Sequence, residues 1–270
     1  MTSVAARPVG DYLREWRQRR RLSQLELATE AEISARHLSF LETGRSLPSR
    51  DMVLHLAERL DVPLRERNVM LVAAGYAPVF PERTLQDPAL AAARQAIDAL
   101  LASHEPYPAL AIDRHWTLLS ANTAAARLMA GADAELLKPP VNVLRLSLNP
   151  KGLAPRIVNL AEWRAHLIER LRRQIDVTAD AVLGELLHEL CGYGGGASSA
   201  PPSIDRRYAG IIVPLRLRTE TGVLSFLSTT TVFGTPVDIL LSEIALETFF
   251  PADEETARAL RETASSLRGA

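Results

Sequence analysis

The hydrophobic pattern of this chain predicts an all-α five-helix unit followed by an α+β domain with a mainly antiparallel sheet. Three observations carry that expectation. Residues 9–75 hold short helical periods separated by capping residues, and residues 108–120 and 208–249 hold strand-like runs. Helical patterns lie between the two strand groups, an order that belongs to α+β folds rather than to an alternating parallel sheet. Pro78, Pro81 and Pro88 interrupt the pattern. The expected organisation is therefore 1–78 for the helical domain, 79–106 for a linker and connecting helix, and 107–270 for the second domain.

The first helix takes its apolar side from Leu13, Trp16 and Leu22. Ser23-Gln24-Leu25-Glu26 has the capping-box spacing, and a short helix to Glu30 follows. Ser34 caps a third helix that runs to Thr43, where Gly44 supplies a left-handed stop. Ser49 caps a fourth, with Val53, Leu56, Ala57 and Leu60 on one face, and Pro63 opens a fifth that ends near Gly75. Residues 88–103 are Ala- and Leu-rich and helical. Strands are expected at Ala109–Ile112 and Trp116–Ser120, then helices at 122–130, 158–176 and 178–191. The Gly192–Pro202 stretch reads as a loop. Strands at 208–218, Val223–Phe233 and roughly 237–249 follow, and a helix over 253–267 closes the chain.

The whole chain of 270 residues carries a formal charge of -1, which does not point to a polyanionic partner. Residues 1–78, however, hold twelve Arg against ten acids, a local balance of +2. Cys191 is the only cysteine, so an intramolecular disulfide is impossible and a reducing, cytoplasmic compartment is expected. There is neither a signal-like apolar segment at the start nor an apolar run of about eighteen residues, so membrane partners are not expected.

A helix-turn-helix needs a small residue where its helices touch, an apolar plug in the turn, and a second helix apolar on one side only. Ala28, Ile33, and Leu38 with Leu41 meet those needs, while Ala35, Arg36, Ser39 and Phe40 fall on the outer side. Leu13, Arg17, Leu22-Ser23-Gln24, Leu27-Ala28, Ile33-Ser34, Leu38, Leu41-Glu42 and Gly44 together resemble the repressor and Cro-like helix-turn-helix family called XRE. Glu32 departs from that pattern, standing where the turn usually has Gly. The resemblance implies that Gln24 and Ser34 open two helices facing phosphates, and that Arg36 reads a guanine through O6 and N7. It also places Ala35, Ser39 and Phe40 against thymine methyls or sugars, and His37 and Arg45 against the backbone of double-stranded DNA.

Three readings of the second domain stay open: a ligand sensor, a dimerisation domain without ligand, and an enzyme. Catalytic and metal signals are thin, and no catalytic or metal residue is assigned. Glu185 and His188 share one helix face but have no second pair. Gly192-Tyr193-Gly194-Gly195-Gly196 lacks the Lys-Ser/Thr ending of a phosphate loop. Cys191 is expected as a small buried hydrophobe. The strand–strand–helices–three-strand order looks like a PAS-type domain. More specifically, the chain resembles the MmyB-like regulators, in which an XRE helix-turn-helix precedes a PAS-like ligand-binding domain. The stretches that carry this are 36–45, 63–68, Ala73-Ala74-Gly75-Tyr76-Ala77-Pro78, Asn122 and Glu247-Thr248-Phe249-Phe250-Pro251. That resemblance implies a homodimer and a bound fatty acid as effector, with no other cofactor. Strand faces and helix position suggest Trp163, Arg164, His166, Leu167, Ile211, Val213, Phe226 and Ile244 as pocket residues, with Arg164 or His166 anchoring a carboxylate.

Overall fold

A computed structural model of the chain describes residues 7–194, 212–234, 236 and 238–268. The chain divides into two compact units, residues 1–83 with 176–178 and 235–242, and the remainder.

The first unit holds α1 (Val9–Arg19), α2 (Gln24–Glu30), α3 (Ala35–Glu42), α4 (Arg50–Arg59) and α5 (Leu64–Ala73). Leu13, Leu27, Leu38, Leu41, Leu56, Leu60, Met70 and Leu71 are fully buried and form its core. Each start has a local cause. The Ser23 and Glu26 side chains close the expected capping box at α2, and Ser34 and Ser49 cap α3 and α4 by accepting from His37 N–H and Met52 N–H. Gly44, at φ 70°, ends α3 in paired bonds from Gly44 N–H to Leu41 O and Arg45 N–H to Phe40 O.

The same stop recurs where there is no glycine. Arg21, Glu32 and Asp61 take φ of 57°, 54° and 47°, and each is followed by a residue whose N–H reaches back to a carbonyl of α1, α2 or α4. A side chain in that region costs roughly 1 kcal/mol. Glu32 thus performs the turn that its departure from the family pattern put in question. Gly10 serves another purpose: a Cβ there would meet Leu41 O at 2.5 Å and Glu42 O at 2.8 Å, so its bare backbone lets α1 seat on the end of α3.

The second unit contains a five-stranded antiparallel sheet in the order β2-β1-β5-β4-β3. The strands are β1 (Ala109–Ile112), β2 (Leu118–Ala121), β3 (Leu215–Thr219), β4 (Gly222–Val232) and β5 (Ala245–Pro251). Its helices are α6 (Ala91–Ser103), α7 (Thr123–Met129), α8 (Val143–Leu148), α9 (Leu160–Thr178, of which 176–178 count with the first unit), α10 (Ala181–Gly192) and α12 (Glu254–Arg268), while α11 (Ile239–Glu243), between β4 and β5, counts with the first unit but for Glu243. One sheet face supplies Leu110, Ile112, Leu215, Leu217, Leu224 and Phe226 to a core shared with Trp163, Leu167, Ile168 and Leu171 of α9 and Leu183, Leu186 and Leu190 of α10. Asn122, 6% exposed, caps α7 and bonds to Ala109 N, Leu101 O and Tyr107 O, joining β1 to the helices on either side.

Three expectations change. The strand expected over 237–249 begins at Ala245, because α11 occupies 239–243, where Ile-Leu-Leu has no alternation to mark a strand. α8 was not expected; Asn142 starts it by accepting from Leu144 and Arg145 N–H. Cys191 is exposed rather than buried. Most of the expected Gly192–Pro202 loop, and the start of the strand expected over 208–218, lie outside the described residues.

Candidate functional site

Two sites emerge, one in each unit. The first is the outer side of α3. Leu38, Leu41 and Glu42 are buried on its inner side, while Ser34, Arg36 and Arg45 are exposed and Ala35, His37, Ser39 and Phe40 are half-buried. The Arg36 and Arg45 guanidiniums lie 5.3 Å and 5.8 Å from the Phe40 ring centre, so two cations sit near one aromatic ring. Backbone N–H groups at the start of α3 have no carbonyl within the helix to receive them, which makes that end suited to an anion.

A buried network fixes the angle at which α3 is presented. Arg17 donates from Nε to Glu42 Oε1 at 2.6 Å and from Nη2 to Oε2 at 2.9 Å; a third bond runs from Nη1 to Leu22 O. The pairing raises the Arg17 pKa further. Gln24 Nε2 donates to the same Glu42 at 2.8 Å. Gln24, expected to face a phosphate, thus spends one of its two amide N–H bonds inside the protein. Arg19 and Arg20, in the basic run of α1, bond to Glu15 and to the carbonyls of Leu60 and Asp61.

The second site is a cavity of about 90 Å³ between the sheet and α8 and α9. Leu144, Leu146, Leu167, Leu215 and Phe249 supply apolar wall, and Ser147 and Ser228 supply hydroxyls. Trp163 donates Nε1–H to Ser147 Oγ at 3.1 Å. Trp116 sits at φ 66°, a conformation unusual for a bulky residue, within a turn whose Asp113 carboxylate accepts from His115 and Thr117 N–H. Its indole donates to Gln174 and lies under the Arg170 guanidinium, 4.6 Å away. Arg170 in turn forks onto both oxygens of Glu247, which is 4% exposed, and onto Thr230 Oγ1.

Of the pocket residues expected from sequence, Trp163 and Leu167 line this cavity. Arg164 does not: its guanidinium is taken by the carbonyls of Leu190, Cys191 and Tyr193, where it closes the end of α10. His166 does not line it either. It stacks on the Trp163 ring at 5.5 Å, and burial, reinforced by nearby Arg170, lowers its pKa and so disfavours its charged form. Phe226 and Ile244 are buried core, Val213 packs at the core edge, and Ile211 lies outside the described residues. Sequence reasoning missed Trp116, Arg170 and Glu247. The available signal was Glu247 itself, a lone acid in the apolar run 244–250.

Glu185 and His188 are exposed on α10, and among the described residues no group of three His, Cys, Asp or Glu is placed to hold a metal ion. Nor, among them, is any helix long and apolar enough to cross a membrane.

A helix-turn-helix with an open second helix, followed by a ligand-binding domain, defines a DNA-binding transcription regulator. Residues 8–70 match a helix-turn-helix domain family, and residues 93–262 match the MmyB-like transcription regulator ligand binding domain. The chain belongs to the MmyB-like transcription regulators. No curated protein gives a significant match. Among solved structures, an RNA-binding light-oxygen-voltage receptor is similar at 15% identity with a TM-score of 0.26, over 97% of this chain and 64% of that one. This chain therefore spans just under two thirds of that receptor, a likeness too slight to inform function.

Proposed function

We propose that the protein binds a near-palindromic operator as a homodimer, with the two copies of α3 about 34 Å apart in successive major grooves. Arg36 reads a guanine, Phe40 meets a thymine methyl or sugar edge, and Arg45, Ser34 and His37 hold the backbone. The exposed Arg36–Phe40–Arg45 stack on a helix braced from behind by the Arg17–Glu42 pair is the observation that carries this reading. The brace sets the angle of the helix, and the stack limits the rotamers Arg36 must give up on binding.

The cavity in the sheet domain takes a small effector with an aliphatic chain, of the fatty-acyl kind. At about 90 Å³ it falls well below the roughly 300 Å³ at which ligand pockets begin, so a full chain must widen it. A ligand that binds one arrangement of the dimer better shifts operator affinity by that difference.

Fluorescence anisotropy on operators selected from random DNA tests the first part. Arg36→Ala is expected to cost about 1–3 kcal/mol and to relax preference at one base pair. Equal weakening on all sequences would make Arg36 a phosphate contact instead. Native mass spectrometry of the purified protein tests the second. An empty cavity, together with operator affinity indifferent to added acyl compounds, would leave the domain a dimerisation module.

A further inference from the structure

We infer that His55 and Tyr76 are positioning residues for DNA recognition, each pinning the backbone at one end of α3 from outside the helix-turn-helix. This rests on the reading that α3 enters the major groove. The Arg17–Glu42 pair grips only the last residue of that helix. The turn before it holds Glu32 at φ 54°, a left-handed conformation that disfavours any residue with a side chain. The peptide unit preceding Glu32 is fixed at both edges. Its N–H, on Glu32, donates to Thr29 O at 3.2 Å, and its C=O, on Ala31, accepts from His55 Nε2 at 3.0 Å. A carbonyl only accepts, so Nε2 carries the proton. Ala31 is 2% exposed, which leaves its carbonyl little access to water if that donor is lost. His55 reaches it from α4, 24 positions along the chain.

The turn after α3 is built the same way. Arg45 and Ser46 N–H both return to Phe40 O, and the chain then runs to the buried Pro48. Tyr76, which follows α5, donates its hydroxyl to the Pro48 carbonyl at 3.1 Å. Each clasp is a single donor on a carbonyl, and each acts on backbone rather than on the side chains expected to meet DNA. Such side chains must lie within about 0.5 Å of their productive positions, and that precision comes from the bonds behind them. A turn released at either end lets α3 tilt about the Arg17–Glu42 pair. Tilt displaces Arg36 and Phe40 from base edges, where sequence is read, whereas contacts to phosphate carry no sequence information. Losing a clasp should therefore reduce preference for the operator, and not only the stability of the fold.

Fluorescence anisotropy on the full-length protein tests this, with an operator selected from random DNA and a scrambled duplex of the same length. The quantity read is the ratio of the two affinities, at a temperature where circular dichroism shows each variant folded. His55→Leu removes the donor and is expected to lower the ratio about tenfold, a factor worth 1.4 kcal/mol. Tyr76→Phe removes one hydroxyl and should lower it about threefold. His55→Gln returns an amide N–H at similar reach and should recover most of the loss. A bond that served the fold alone would lower the melting temperature and leave the ratio as in wild type. That result in either folded variant overturns the role of its residue, and in both it overturns the inference. A Gln variant no better than Leu overturns the role of His55, because the N–H would not be what acts. Should His55→Leu not fold, His55→Gln against wild type and Tyr76→Phe decide. Arg36→Ala separates the two readings. If it binds both duplexes as tightly as wild type, α3 is not in the groove and the inference falls with that reading; if it alone lowers the ratio, only the clasps are overturned.

Discussion

Arg17–Glu42 in the helical unit and Arg170–Glu247 in the sheet domain are built alike: each guanidinium forks onto both oxygens of a glutamate that is 6% or 4% exposed. Their surroundings differ. Arg17 is itself buried, and its remaining bond goes to the Leu22 carbonyl in the turn after its own helix, so the pair clamps α1 to α3. The Arg170 side chain is 29% exposed and borders an aromatic ring and a void. The same pair of side chains positions an element when packed backbone encloses it, and forms part of a cavity wall when it borders empty space. A buried ion pair adds little net stability in either place, yet removing one partner is costly because it strands the other charge.

The largest effect should separate the two pairs. Glu42→Ala leaves a buried Arg17 unmatched and should cost about 3–5 kcal/mol in urea denaturation. Glu247→Gln leaves a partly solvated Arg170 and should cost less, about 1–3 kcal/mol. Equal losses would break the comparison. Gly10→Ala tests the same joint from its backbone side. Its Cβ would fall 2.5 Å from Leu41 O, so about 1–3 kcal/mol should be lost, less than additively with Glu42→Ala. Glu32→Gly works in the opposite direction. Relief of the left-handed strain should raise stability by about 1 kcal/mol in the same assay, with operator affinity unchanged.

The smallest effect concerns pH. Folding lowers the His166 pKa from about 6.5, so between the folded value and pH 6.5 the unfolded chain binds more protons. Stability is full above pH 6.5 and falls as pH drops through that window, and His166→Gln should flatten this part of the curve. Glu247 opposes the lowering. Its removal should push the His166 titration, followed by NMR, to still lower pH.

The helical unit was largely legible because its determinants are local. Ser23, Ser34, Ser49 and Gly44 each act within a few residues of the element they start or stop. What escaped there was Gly10, whose need arises only when α1 meets α3. In the sheet domain the sequence of strands and helices along the chain could be read, yet the cavity was only partly anticipated. Trp163 and Leu167 follow from the apolar face of α9, whereas Arg170 and Glu247 stand 77 positions apart and become partners only on folding. Arg164 and His166, expected as polar anchors, lie on the cavity's helix but not in its wall. One faces the end of α10 and the other an indole, and helical spacing alone does not distinguish those directions from that of Arg170.

The left-handed turn at Trp116 has a practical corollary. The chain contains three tryptophans, and two of them, Trp116 and Trp163, form part of the cavity wall, while Trp16 is buried in the helical unit. Intrinsic emission therefore offers a label-free optical readout of effector entry, with the indole of α1 as a built-in reference.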